Sequence, residues 1–524
     1  MAHAMLRLLA TPTTSARLPS TIPLTSHPPR SPADRSRLAC GAVRFPATPL
    51  TRALAALALA LLGALAFAPG AMAHALVEEI TPADRARLDS GPGRVEVRFT
   101  EPVQLLQQSD LTVVDSRGEP VNSGPGTVQA ANASVIEVPV RPRLAPGSYT
   151  VRWRVVSADG HIVPGSSVFT VGDVPLAAPY LGGPGGGEGP TETSAWSVTA
   201  RWVELVGIGG LLALLVFRVL VWRPAWRPPP RMPAGERDAA LSWARDAWWI
   251  GFGALALVAL VGEGLVLVVK TAASMGTSVW GALADPAGIV RVLADTRFGD
   301  LLQIRTLALF VLFALGVWRF LVEYRSDDAP DRRDADGGLI PMLIMMVPAL
   351  VAIGSLSAQG HASTSDMPAL QVPVDALHAA MASAWLGGLA IVAVFLLRLP
   401  RVAGAGGRLV GGLALARFSA LAVIAVALLV VSGVVRAFGQ LTSPADLWKT
   451  SYGWTILVKI GLLAVAVVLA LRGRRVVTAL RRRTGPPNTA TLALVRRNAW
   501  VEIGITLVIV AFSALLVGQA PPIS

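Results

Sequence analysis

Eight apolar segments beyond residue 200 constrain this chain more than any other feature. They run approximately over 201–222, 246–269, 301–322, 339–357, 376–397, 409–436, 453–471 and 499–518. Each reaches the roughly 20 residues a helix needs to cross a bilayer. Lipid offers no hydrogen-bond partners, so such segments must be helices whose backbone groups satisfy one another. Of the 524 residues 53% are hydrophobic, which fits a polytopic membrane chain and not a soluble one.

Charge sets the orientation. Four alternate loops (223–245, 319–338, 398–408, 472–497) hold five, four, three and eight Arg or Lys. The loops on the other side (270–300, 358–375, 437–453) hold three, none and one. The positive-inside rule therefore places the start of the first span and the C-terminus outside, with an even number of spans. The net charge of +13 does not indicate nucleic acid. Residues 1–73 supply seven Arg against one Asp, and most other excess cations lie in the inner loops. Arg481-Arg482-Arg483 reads as such a topology signal, in reach of anionic lipid. No nucleotide-binding motif is present, so no nucleotide partner is expected.

Upstream, residues 1–52 are rich in Pro, Ser, Thr and Arg, and Arg52 precedes an apolar run from Ala53 to Ala68. Ala71-Met72-Ala73 then has the shape of a signal-peptidase site, so 1–73 is expected to be a signal peptide with a long disordered leader. From His74 to Asp173 the hydrophobic period is two, as in Arg94-Val95-Glu96-Val97-Arg98-Phe99, with Gly and Pro turns between runs. About seven short strands in this length predict an exported all-β Greek-key sandwich or barrel, Ig- or cupredoxin-like. Residues 174–200, containing GGPGGGEGP, form a tether to the all-α membrane domain at 201–522. The only cysteine, Cys40, lies before the cleavage site, so no thiolate metal site or disulfide is expected in the mature chain.

Four histidines remain beyond the leader: His74, His161, His361 and His378. Cleavage after Ala73 would give His74 a free α-amine beside its imidazole. In Ser157-Ala158-Asp159-Gly160-His161 an Asp-Gly turn sets Asp159 and His161 side by side. On spacing alone this is an ordinary hairpin with a surface histidine. Together with His74 it becomes an amine, two imidazoles and a carboxylate, a donor set that suits tetragonal Cu(II). No Met lies between Ala73 and Arg231, so soft Cu(I) donors are missing from this segment.

These residues resemble a known family. His74-Ala75, Phe99-Thr100-Glu101-Pro102-Val103 and YTVRWRVVSADGHIVPGSSVFTV are similar to the CopC family of periplasmic copper-binding proteins over essentially all of 74–173. The resemblance implies a β-sandwich with a Cu(II) site formed by His74 (α-amine and imidazole), Asp159 and His161. The Met-rich Cu(I) site of some relatives has no counterpart here.

A second constellation lies in the membrane domain. Gln359-Gly360-His361 precedes the fifth span, where Asp375, His378, Met381 and Trp385 fall close to one helical face. His361, Asp375, His378 and Met381 are candidate copper ligands, and Met favours Cu(I). A helix-packing histidine bonded to Asp375 is the alternative. Residues 200–522 resemble the CopD family of copper-resistance membrane proteins, through this region, Thr296-Arg297-Phe298-Gly299, Thr450-Ser451-Tyr452-Gly453 and Ala520-Pro521-Pro522. The chain therefore looks like a CopC–CopD fusion. The expectation is a non-enzymatic inner-membrane protein that takes up Cu(II) outside and passes copper onward, with the bilayer, copper ions and other copper chaperones or cuproenzymes as partners. Two other readings stay open: a haem or redox protein using His361 and His378, and a copper oxygenase. Glu204 and Glu263, inside the first two spans, are candidate cation relays or partners of Arg201, Lys270 or Arg305. Met342, Met345 and Met346 read as core filler or a copper exit.

Overall fold

The computed structural model describes residues 75–157, 160, 162–181, 191–226, 231–325, 338–363, 365, 367–481, 489–519 and 522. The leader 1–73, His74, Asp159, His161 and most of the glycine-rich tether lie outside that set, as do Arg482, Arg483, Ala520 and Pro521.

The alternating segment forms two packed sheets. One has the order β1 (Val77–Thr81), β3 (Arg94–Phe99), β7 (Asn132–Pro139), β6 (Thr127–Gln129). The other has the order β2 (Arg87–Leu88), β9 (Ile162–Val171), β8 (Gly147–Ser157), β4 (Val103–Gln104), with β5 (Leu111–Asp115) also on β8. The chain changes sheet at β1–β2, β2–β3, β3–β4, β5–β6 and β7–β8, the crossing expected of a Greek-key sandwich. Two features depart from the sequence reading. The described strands number nine, because β2 and β4 have two residues each and are too short to show a period. The β2–β9 pair is parallel: after Arg85, whose φ is 61°, the chain lays Arg87–Leu88 along the free edge of β9.

The period-two pattern works as written. Val95, Val97 and Phe99 point into the sandwich and pack with Val113, Ile136, Val151 and Phe169, while Arg94, Glu96 and Arg98 face outward. β8 is buried on both faces. Its outer face is covered by the following segment, where the Tyr180 and Ala177 amides donate to Thr150 Oγ1 and Ser148 Oγ. Gly165 pairs with Trp153 across β8–β9, and a Cβ there would fall 2.3 Å from the Trp153 ring. Only glycine lets the indole lie across that strand.

All eight expected spans are helices long and apolar enough to cross a membrane. They are α1 (Ala195–Ala225), α2 (Ala234–Met275), α3 (Arg297–Arg325), α4 (Leu339–Gln359), α5 (Pro368–Val402), α6 (Gly404–Phe438), α7 (Ser451–Arg481) and α8 (Thr489–Val517). Single π-turns interrupt α1 at Arg218–Trp222 and α5 at Ser383–Gly387. The central helix is α1, which touches α2, α4, α5 and α8. Its crossing with α2 is tight: a Cβ on Gly207 would lie 2.4 Å from Ala259 N, and one on Gly262 would lie 2.5 Å from Glu204 Cα. Small residues let two backbones approach where lipid supplies no hydrophobic drive for association.

The sandwich rests on the outer ends of these helices. Leu106 packs beside Ala200, Val266, Phe298 and Leu302. Arg154 donates to the Ala273 carbonyl at 2.9 Å, and Gln107 to that of Met275 at 3.4 Å. The ends it covers, the start of α1, the end of α2 and the start of α3, are those the loop charges assign to the outside.

Gly262→Ala should separate α1 from α2 and cost about 1–3 kcal/mol by overpacking. Thermal unfolding of the full chain in detergent should show a lower Tm than wild type. An unchanged Tm would contradict the close crossing.

Candidate metal centre

The sandwich candidates are framed by described residues on every side. Ala75, next to His74, is 1% exposed and sits in the sandwich core. The Leu76 amide donates to Thr100 Oγ1 and its carbonyl accepts from the Thr100 amide, which ties the start of the domain to the end of β3. Three residues beyond Thr100, Val103 pairs with Ser157, the last residue of β8. Ser157 in turn accepts from the Gly160 amide at 2.9 Å, closing a tight turn into β9. Gly160 has φ +82°, a backbone state that favours glycine. The stretch 99–103 thus carries the flanks of His74 to the same end of the sandwich as the flanks of Asp159 and His161.

That end faces the membrane domain. A Cβ on Gly160 would lie 3.6 Å from Phe298 Cβ, at the start of α3. Next to Phe298, Arg297 donates to the Ala358 carbonyl near the end of α4 at 3.2 Å. Gln359 Oε1 accepts from Arg305 at 2.9 Å, and His361 follows in a 3-10 turn, His361–Ser363, with 7% of its surface exposed. Contacts therefore run continuously from the turn that carries Asp159 and His161 to the neighbourhood of His361.

His378 lies three turns into α5. Its Nδ1 is 2.9 Å from Ser432 Oγ on α6. Ser432 gives its single hydroxyl proton to the Leu428 carbonyl at 2.7 Å, so toward His378 it accepts. Donation from an Nδ1–H to Ser432 would leave the lone pair on Nε2, the arrangement a ligating imidazole needs. Asp375, one turn earlier, pairs with Arg436 of α6 at 2.6 Å and not with His378. Met381 packs between the two apolar cores of the helical domain. Among the described residues no three His, Cys, Asp or Glu side chains form a group that could hold a metal. Arg436 already holds Asp375, and Ser432 already engages His378 Nδ1.

Of the three cations in range of Glu204 and Glu263, Arg305 is the one that meets them. Arg305, with no exposed surface, lies 2.8 Å from Glu204 and 2.6 Å from Glu263. Arg201 and Lys270 pair instead with Glu192. Arg218 on α1 meets Glu323 on α3 at 3.2 Å, and the Trp249 indole donates to the same carboxylate. An Arg inside an apolar span signals a required acidic partner. Met342 and Met345 are buried in the helical core and Met346 packs against it, the filler reading.

Models of two families match this chain: the CopC domain over residues 77–172, and Copper resistance protein D over residues 412–516. Protein YobA of Escherichia coli (strain K12) is 32% identical over 114 residues, which cover 22% of this chain and 91% of that protein. The chain belongs to the CopC–CopD family. Copper transport protein CutJ of Bacillus subtilis (strain 168) is 28% identical over 439 residues, spanning 84% of this chain and 73% of CutJ. The crystal structure of CopC from Methylosinus trichosporium OB3b is 31% identical and covers 20% of this chain and 100% of that one, with a TM-score of 0.17. This CopC–CopD chain is accordingly a multi-pass membrane protein with an exported CopC-like domain.

Asp110 lies at the base of the loop that carries Leu106 into the contact between the two parts. Asp110 is 2% exposed and accepts from the Leu106 and Gln107 amides at 2.8 Å. Burial pushes its carboxyl up to about 6, against the pull of those two amides and of Arg154 and Arg291. A folded-state value above the unfolded one means the folded chain binds the proton more tightly. This stabilisation is complete below the ordinary value of 3.8 and is lost as pH rises through about 6. Two pH units correspond to about 3 kcal/mol. Between about pH 4 and pH 7 the wild-type sandwich should lose stability relative to Asp110→Asn by that order. Thermal unfolding of both proteins across the range measures it, and parallel curves would refute it.

Proposed function

We propose that this protein captures Cu(II) outside the membrane and passes copper to its helical domain, in copper uptake or copper resistance, as a carrier and not an enzyme. Copper is the cargo. The observation that carries this reading is the seating of the β8–β9 turn on Phe298. Two copper-resistance family modules in one chain, and the kinship with a copper transport protein, support it.

In this reading the α-amine and imidazole of His74, with Asp159 and His161, hold Cu(II) at the end of the sandwich that faces the helices. Nitrogen and carboxylate donors without sulfur favour Cu(II) over Cu(I). The glycine-rich linker keeps capture and delivery within one molecule, so transfer depends on effective concentration and not on encounter. His361 lies on the outer side, beyond Arg297 and Ala358. His378 offers its Nε2 lone pair deeper in the bilayer, with Met381 as a soft donor one turn on. These residues serve as separate contacts along a path. Asp375 holds Arg436 and so sets α5 against α6 beside His378. The protein sits in the inner membrane with the sandwich and C-terminus on the periplasmic side, and chaperones or cuproenzymes exchange copper with it there.

Cells producing the full chain should differ in copper content from cells without it. His161→Ala and His378→Ala should each abolish most of that difference, and the sign for wild type separates uptake from efflux. Copper content unaffected by either variant would end the proposal. An extra Ala placed before His74 should weaken Cu(II) binding by tenfold or more in a competition titration. Unchanged affinity would remove the amine from the site.

A further inference from the structure

The cluster around Arg305 is out of balance. One guanidinium with no exposed surface meets two carboxyls, Glu204 of α1 at 2.8 Å and Glu263 of α2 at 2.6 Å. Its third neighbour, Gln359 of α4, is neutral. Glu204 and Glu263 are 3% and 5% exposed. The next cations along α1 and α2, Arg201 and Lys270, are engaged by Glu192. With both carboxyls ionised the site would carry one net negative charge within the membrane domain, a state that burial away from water strongly disfavours.

A second observation shows where the missing positive charge belongs. Glu263 Oε2 is buried and has no hydrogen-bond donor among the described residues. Both carboxyls are nevertheless held within 2.8 Å of the same guanidinium, which brings them close together. Two ionised carboxylates repel, whereas an acid and a carboxylate at that distance share a proton. We propose that Glu204 and Glu263 form a proton-binding site on Arg305, holding one exchangeable proton between them. The site further couples copper passage to proton exchange, and this second part rests on the copper-carrier reading. Releasing the proton leaves two carboxylates on one guanidinium, and taking it up restores a neutral cluster. No bond other than O–H is made or broken. The cluster joins α1, α2, α3 and α4 near the outer ends on which the sandwich rests, so its charge state bears on how those four helices pack.

Infrared difference spectroscopy of the purified full chain tests the site directly. Wild type at neutral pH should show the carbonyl stretch of a protonated carboxyl. Glu204→Gln and Glu263→Gln should each lose it, because the remaining glutamate then pairs one-to-one with Arg305 and ionises. Loss in both single variants is the mark of a shared proton. A band absent from wild type, or retained in either variant, overturns the site. Should one variant fail to fold, the other still decides, because each predicts the same loss. Proteoliposomes with a pH-sensitive dye inside, given copper outside, test the coupling. Wild type should move protons with copper and the glutamine variants should not. Copper flux without proton movement in wild type, with the infrared result intact, discards the coupling and leaves the proton site standing.

Discussion

A guanidinium sealed among helices has neither water nor lipid headgroup to turn to, and Arg305 is such a group. It can remain charged only if the protein supplies the counter-charge. The sequence does so from two helices at once, with Glu204 on α1 and Glu263 on α2, and adds Gln359 from α4. Meeting that demand requires α1 and α2 to come close, which the glycines at 207 and 262 permit. Packing and charge are one requirement here: the Gly262 position that admits Glu204 is adjacent to the carboxyl that shares its arginine. With this corner fixed, the outer ends of α1, α2 and α3 form the platform that receives Leu106, Gln107 and Arg154 of the sandwich.

Another buried pair behaves differently. Arg218 with Glu323 matches one cation to one anion. Pairs of that kind fix orientation and register. They leave no charge over and so have no reason to exchange protons. The Arg305 cluster has the opposite stoichiometry, with two acids to one base. Counting charges inside the membrane therefore separates positions that hold the fold from a position that can change state, without reference to any family.

Much of this was legible in the sequence, and the reasons differ by element. The eight spans were plain because length and apolarity are the whole physical criterion for crossing a bilayer. The sandwich was plain wherever one strand face is buried, as in Arg94–Phe99, where the period of two has to appear. It was invisible at Arg87–Leu88 and Val103–Gln104, since two residues have no period, and the parallel pairing of β2 could not be foreseen from a pattern that carries no direction. Glu204 and Glu263 stood out as acids in apolar runs, but three cations were in range and only the fold chose Arg305 over Arg201 and Lys270. Asp375 and His378 share a helical face, which suggested a joint site. Their partners, Arg436 and Ser432, lie on another helix, 61 and 54 residues away, and leave no trace in local spacing.

Docking of the sandwich bears on the copper path in a way the linker alone would not. A tether raises local concentration but sets no orientation, so a donor on its far end could meet the membrane domain with any face. Here the β8–β9 turn, the stretch that carries Asp159 and His161, lies against Phe298. The next residue back, Arg297, holds the carbonyl of Ala358, three positions before His361. The buried Asp110 sits in the same contact, at the base of the loop that places Leu106. Burial pushes its carboxyl up to about 6, so protonation removes an ill-solvated charge from that contact.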